Sequence, residues 1–127
     1  MPAPASFDYA ILRIVPRVER QEFVNAGVVV FCREKRYLAA RIRLDRNRVE
    51  ALWPEADVDL FARHLEAVAR ICEGDASAGQ IARLSQSERF HWLVSPRSTV
   101  IQPSPVHTGL CHETDDLLER LEKQFLS

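Results

Sequence analysis

The sequence predicts an α+β domain in which helices pack on one face of an antiparallel sheet of three to five strands. Strand-like segments fill the first third of the chain, and helix-like segments occupy the middle and the end. Because strands and helices do not alternate along the chain, a parallel α/β sheet is disfavoured. The chain fits a single domain over residues 1–127, with residues 1–6 as a frayed tail around Pro2 and Pro4.

Three strands are predicted in the first third. Residues 9–15 (YAILRIV) are rich in β-forming residues. Residues 27–32 (GVVVFC) are apolar on both faces, which is typical of a central strand. Residues 37–44 alternate in polarity, so this strand has one solvent-facing side. The short charged turn at residues 33–36 joins the last two strands and requires them to pair antiparallel.

Two helices are predicted in the middle of the chain. Asp45 has the position of an N-cap for a short helix that ends before Pro54. A longer helix begins at Asp57 or Asp59 and ends at Gly74. Its apolar positions fall at i, i+4, i+7 and i+11, which places one stripe against a sheet. The stripe comprises Phe61, Leu65, Val68 and Cys72.

Two further helices and a short strand are predicted in the last third. A helix spans residues 86–93 and ends before Pro96. Residues 99–102 form a strand at a sheet edge, because prolines follow it. The final helix begins at Thr114 and buries one apolar side. That side comprises Leu117, Leu118, Leu121 and Phe125.

The cysteines and the hydropathy pattern indicate the compartment. Three widely spaced cysteines, Cys32, Cys72 and Cys111, favour a reducing cytoplasm over a disulfide-bonded secreted protein. No apolar run reaches the length of about 18 residues that a membrane-spanning helix needs. Residues 1–10 lack the basic and apolar regions of a signal peptide. We therefore expect a cytoplasmic protein with no membrane partner.

Positive charge is concentrated in the first part of the chain. Residues 1–50 contain ten Lys or Arg and six Asp or Glu, net +4, whereas residues 51–127 contain seven and twelve, net −5. Five arginines define a basic stripe: Arg36, Arg41, Arg43, Arg46 and Arg48. The stripe suits nucleic-acid phosphates, or it pairs with the acidic second half of the same chain. The second interpretation is favoured because the two halves carry opposite charge.

The segment 89–109 (RFHWLVSPRSTVIQPSPVHTG) is the richest in candidate binding groups. Its prolines hold polar side chains next to an aromatic cluster. The candidate ligand-binding residues are Arg97, Ser98, Thr99, Gln102, Ser104 and His107. A guanidinium, hydroxyls and free backbone N–H groups suit an anion such as phosphate or carboxylate. The alternative is a proline-rich crossover whose polar side chains satisfy their own backbone.

A second candidate segment precedes the central strand. Glu22 could act as a general base, and Asn25 could orient a substrate. Alternatively, Asn25 bonds to nearby backbone, Gly27 permits close backbone approach, and Glu22 pairs with an arginine. If the two segments converge in space, the alternative function is an enzyme or ligand-binding domain that acts on a phosphate-bearing small molecule or nucleic acid. In that hypothesis Arg97 holds the anion, His107 is the acid or base, and Glu22 and Asn25 complete the pocket, with a proton relay between Glu22 and His107.

No complete catalytic or cofactor motif accompanies these residues. His107, Cys111 and His112 are metal-ligand types, but their spacing matches no zinc pattern. Nucleophile-elbow, phosphate-loop and dinucleotide fingerprints are absent from the sequence. The sequence therefore predicts no cofactor, no metal and no catalytic residue, and a binding role is favoured over catalysis.

Two motifs give the chain a family resemblance. They are Glu22-Phe-Val-Asn-Ala-Gly27 and the run from Pro96-Arg-Ser-Thr99 to His107-Thr-Gly109. Over residues 7–126 the chain resembles the bacterial domain of unknown function 3037 family (DUF3037). The resemblance implies a small cytoplasmic bacterial protein without an assigned activity, often encoded near a HipA-like serine/threonine kinase. It thus implies a protein-interaction or regulatory module with such a kinase as candidate partner; the oligomeric state stays open.

Overall fold

A five-stranded antiparallel sheet forms the centre of the structure, a computed structural model that describes residues 3–127. The α+β class and the antiparallel sheet of three to five strands are confirmed. The strands are β1 (Ala5–Ile14), β2 (Val24–Cys32), β3 (Tyr37–Ile42), β4 (Ile101–Pro103) and β5 (His107–Cys111).

Strand β1 lies in the middle of the sheet and pairs on both sides. It forms a hairpin with β2, which in turn pairs with β3. On its other side β1 pairs first with β5 and then with β4, so these two short strands together form one interrupted edge. The register places Ala5 opposite Cys111 and Ile14 opposite Ile101.

The predicted N-terminal tail over residues 1–6 is wrong for Ala5 and Ser6. Ala5 and Ser6 already belong to β1, and Ala5 is buried. Pairing with β5 holds this end of the strand in place. Pro2 lies outside the described residues.

Strand β5 was not predicted from the sequence. The predicted strand over residues 99–102 is followed by Pro103 and Pro105, and the sequence indicates no further strand beyond them. The pairing with β1 nevertheless creates the strand, and Gly109 makes it possible. A Cβ atom at this position would lie 2.6 Å from Cζ of Phe7, so only glycine fits beneath that ring.

Four α-helices surround the sheet. They are α1 (Arg46–Leu52), α2 (Val58–Glu73), α3 (Gln86–Leu93) and α4 (Leu117–Phe125). The predicted caps of the middle helices are confirmed, since the side chains of Asp45 and Asp57 accept backbone N–H groups of α1 and α2. Gly74 ends α2 with a φ of 74°. Helix α4 begins after Asp116 rather than at Thr114, and no side-chain hydrogen bond caps it.

The helices lie on both faces of the sheet, which differs from the predicted packing on one face. Helices α1, α2 and α3 share a core with one face, where Leu65 and Phe90 are fully buried. Helix α4 covers the other face and packs Leu117 and Leu121 against Val28 and Val30. The reason lies in β2: a strand that is apolar on both sides needs cover on both sides.

No α-helix within residues 3–127 has both the length and the apolar character needed to cross a bilayer. All three cysteines are buried and unpaired, and the predicted core position of Cys72 is confirmed. Burial raises the pKa of the Cys72 thiol to about 12, so this thiol stays protonated at neutral pH.

Candidate functional site

An apolar cleft opens between α2 and the segment that leads into β4. Its volume is about 380 Å³. Helix α2 contributes His64, Ala67, Val68 and Ile71, and the opposite wall consists of Trp92, Arg97, Thr99, Val100 and Ile101. We call this opening the α2 cleft. Its floor is aliphatic, and its polar groups stand at the rim.

Arg97 is fixed at the rim of the α2 cleft by Trp92. The guanidinium carbon lies 4.3 Å from the centroid of the indole ring, within the range of a cation–π contact. A terminal N–H donates to the carbonyl oxygen of Trp92 over 2.5 Å. Partial burial lowers the pKa of Arg97, yet an arginine remains charged at neutral pH. The cleft therefore carries a permanent, oriented positive charge.

Two other predicted loop residues mainly bind their own main chain. The Thr99 hydroxyl donates to the carbonyl oxygen of Ile101 over 3.1 Å. The Gln102 side-chain amide donates to the carbonyl oxygen of Thr99 over 2.8 Å. For these two residues the structure agrees with the alternative interpretation, in which the polar side chains of a proline-rich crossover satisfy their own backbone. Ser98 is exposed, and it does not line the α2 cleft.

The Ser104 side chain is buried and forms hydrogen bonds within the fold, so it is not accessible to a ligand. Its hydroxyl accepts the N–H of Ile11 over 2.8 Å and donates to the carbonyl oxygen of Pro105 over 2.9 Å. The side chain is buried at the break between β4 and β5. It therefore replaces a ladder hydrogen bond that the broken edge strand cannot supply.

Glu22 lies beyond the Ile14 end of β1, whereas His107 lies beside the middle of that strand. Glu22 is exposed and pairs with Arg20, which lowers the pKa of its carboxyl group. His107 is exposed and stacks on Tyr9, with ring centroids 5.5 Å apart. Glu22 is two residues before Val24, which pairs with Ile14 of β1. His107 pairs with Tyr9, five residues earlier in β1. Five residues of strand span about 16 Å, so the two side chains do not form a proton relay.

Asn25 and Gln102 do converge, around a residue that the sequence analysis did not select. Both lie directly opposite Arg13 in the sheet, Asn25 on β2 and Gln102 on β4. Residues opposite each other in antiparallel strands project from the same face. We call Asn25, Arg13 and Gln102 the Arg13 row. It lies on the α4 side, because Leu12 and Ile14 belong to the α2-side core.

The polar contacts of the Arg13 row are incomplete. The Nε atom of Arg13 is buried and has no hydrogen-bond partner among residues 3–127. The ring of Phe23 covers the guanidinium at 4.3 Å. The amide nitrogen of Asn25 lies 3.4 Å from the carbonyl oxygen of Phe125, at the end of α4. One signal in the sequence could have identified Arg13: it is the single charged residue in the apolar run YAILRIV.

The basic stripe pairs with acidic side chains of the same chain. Arg41 and Arg43 both contact Glu122 of α4, at 3.3 and 3.6 Å. Arg46 pairs with Glu50 and Asp59. Further along, Arg48 pairs with Asp45, while Arg36 occupies the β2–β3 turn at a φ of 50°. The contacts with Glu122 and Asp59 join the two halves of the chain, as the intramolecular interpretation of the charge asymmetry expects, whereas those with Glu50 and Asp45 lie within the first half.

Metal-ligand types do not gather in the described part of the chain. No group of three His, Cys, Asp or Glu side chains in residues 3–127 is arranged to hold an ion. Cys111 is buried in the α4-side core, while His107 and His112 are exposed.

Comparison with known proteins identifies the family of the chain. No curated protein and no solved structure showed a match to it. One family model, described as a protein of unknown function (DUF3037), matches residues 9–126, nearly the whole sequence. The predicted resemblance is confirmed, and the chain belongs to the DUF3037 family of proteins of unknown function.

Proposed function

We propose that this domain is a protein-interaction module whose α2 cleft binds an apolar side chain and a neighbouring carboxylate of a partner protein. The observation that carries the proposal is the Arg97–Trp92 pair at the rim of an aliphatic cleft. An ordered cation beside apolar surface favours a segment that contains both an apolar and an acidic residue.

The composition of the cleft supports binding of a protein. Trp and Arg are enriched among the residues that dominate interface energies. The Trp92 side chain is 41% exposed although it is a large aromatic residue, so it offers area that a partner can bury. Its contact with Arg97 holds the guanidinium in one orientation before binding, which reduces the entropy lost on association.

Both sides of the opening carry a polar side chain. His64 of α2 and Arg97 of the opposite wall both line the cleft. A partner with an acidic residue next to its apolar anchor can pair that carboxylate with the Arg97 guanidinium. The HipA-like kinase implied by the family resemblance is the first partner to test.

The test is affinity capture from the native host, followed by titration of the captured protein against purified variants. We expect the domain to recover a protein in stoichiometric amount. Trp92→Ala and Arg97→Ala should each weaken binding by about tenfold or more, the range of an interface hot spot. Arg83→Ala is the matched control, because Arg83 is exposed and lies outside the cleft.

Two results would contradict the proposal. One is the recovery of no stoichiometric partner. The other is a partner that binds Trp92→Ala and Arg97→Ala as tightly as the unmodified protein, since such a partner uses another surface.

A further inference from the structure

Arg13 lies in the central strand of the sheet between two buried neighbours. Leu12 and Ile14 are 2% and 0% exposed. Arg13 itself is half-buried, and its Nε atom is shielded from solvent without a hydrogen-bond partner among residues 3–127. None of the ion pairs formed by the described carboxylates includes Arg13. A cationic donor in this position costs stability unless another group pairs with it.

The buried arginine of the fold, Arg89, has hydrogen-bond partners at Nε and at one terminal nitrogen. Arg89 donates from Nε to the carbonyl oxygen of Leu84, and from one terminal nitrogen to those of Ile71 and Cys72. The distances are 2.8 to 3.0 Å. Nε of Arg89 has a hydrogen-bond partner and Nε of Arg13 has none among residues 3–127. The missing partner is therefore a property of the Arg13 site and not a general feature of this core.

The surroundings of Arg13 restrict the direction from which a ligand can approach. Phe23 covers the guanidinium face, so an anion must reach its edge, where the N–H groups form a planar fork. Asn25 and Gln102 stand on either side, one strand away. In each side-chain amide one N–H donates to a carbonyl oxygen, which leaves the second N–H for a ligand.

A groove of about 380 Å³ adjoins the Arg13 row. Asn25 of the row lines this groove, together with Phe23, whose ring covers the Arg13 guanidinium, and the lining extends to Arg48 and Phe125. Its volume lies within the range of small-molecule sites, and its walls combine two aromatic rings with a second cation. Asn25 thus connects the row to a groove, lined by neither Arg13 nor Gln102, that has space for an apolar or aromatic body.

We propose that the Arg13 row is a binding site for a small oxyanion, with the guanidinium fork as anchor and the amides of Asn25 and Gln102 as flanking donors. The shared ligand chemistry is a carboxylate or a phosphate group, both of which match an arginine fork. The site is on the α4 side of the sheet, opposite the α2 cleft, and does not depend on the proposed function of that cleft.

The experiment is an NMR titration of the full chain with benzoate and with inorganic phosphate, in separate arms. Benzamide is the uncharged control for benzoate, and sodium chloride at equal ionic strength is the control for screening. We expect the Nε–H resonance of Arg13 and the side-chain amide resonances of Asn25 and Gln102 to shift with a common dissociation constant. A larger response to benzoate identifies a carboxylate ligand, and a larger response to phosphate identifies a phosphorylated one.

Variants connect the response to the guanidinium fork. Arg13→Met should abolish the shifts, and Arg13→Lys should weaken binding by about tenfold, because it keeps the charge without the fork. Arg63→Met, which replaces an exposed arginine of α2, should leave the titration unchanged. The proposal is overturned if neither anion shifts these resonances in the unmodified protein, or if Arg13→Met binds as tightly as the unmodified protein.

Discussion

The α2 cleft and the Arg13 row lie on opposite sides of the sheet and meet at β4, which supplies Ile101 to the cleft and Gln102 to the row, yet their chemistry is opposite. Ile14 and Ile101 are paired neighbours on the α2 side, while the adjacent pair, Arg13 and Gln102, projects to the α4 side. The cleft has an apolar floor and a cation held by a tryptophan. The row has a cation that stacks on Phe23 and whose Nε has no hydrogen-bond partner among residues 3–127. One polar segment of sequence therefore serves two separate surfaces, because side chains alternate along a strand.

The two faces also differ in the amount of helix that covers them. Three helices pack on the α2 side, including the 16-residue α2. Only α4 covers the opposite side, and its nine residues span about 13 Å. Helix α4 ends beside Asn25, which leaves the Arg13 row half-covered. The difference in coverage predicts a difference in energetics that matched substitutions can measure.

The largest expected effect comes from Leu65→Ala on the α2 side. Leu65 is fully buried, so the substitution should lower the free energy of unfolding towards the upper end of about 2–5 kcal/mol. Leu121→Ala is the matched change on the α4 side and should cost less, because the single helix there can shift to fill the cavity. Urea denaturation measures both values. Equal losses would show that the two cores are equally rigid.

Ser104→Ala tests the break between β4 and β5. It removes the acceptor for the N–H of Ile11 and should lower the free energy of unfolding by about 1–3 kcal/mol. Ser98→Ala is the control, with an expected change within about 0.5 kcal/mol at an exposed position. If both variants are equally stable, Ser104 does not act as a strand bridge.

Arg13→Met should leave the stability unchanged or raise it by about 1 kcal/mol, because it removes an unpaired buried donor and keeps the side-chain length. Arg89→Met makes the same chemical change where three hydrogen bonds exist and should destabilise the protein. Thermal unfolding compares the pair. A large loss from Arg13→Met would mean that Arg13 has a structural partner, such as an ordered water.

Glu122→Gln has the smallest expected effect. It removes the carboxylate that Arg41 and Arg43 share and should cost about 0.2–1 kcal/mol in dilute buffer. The loss should shrink in about 1 M NaCl, where charges are screened beyond about 3 Å. Glu119→Gln is the control within α4, since among residues 3–127 Glu119 pairs with Lys123 of the same helix and with no residue of the sheet. A salt-independent loss would indicate that packing, not charge, links α4 to the sheet.

Local signals predicted most of the helices, because caps and stops act over a few residues. Asp45, Asp57 and Gly74 mark the ends that the structure shows. Strand β5 was not predicted because its pairing depends on β1, about a hundred residues earlier in the chain. The missing hydrogen-bond partner of Arg13 Nε also could not be predicted from the sequence. It depends on which atoms of β2 and β4 surround the side chain, and register determines that.

The position of β1 has a consequence for synthesis on the ribosome. Its hairpin partner, β2, leaves the exit tunnel soon after it, but the strands for its other side span residues 101–111. Until that segment emerges, one edge of the nascent hairpin has unpaired N–H and C=O groups, a template for contact with other nascent chains. Completion of the sheet is thus a late event of translation, and chains truncated before residue 101 should be targets for chaperones and proteases.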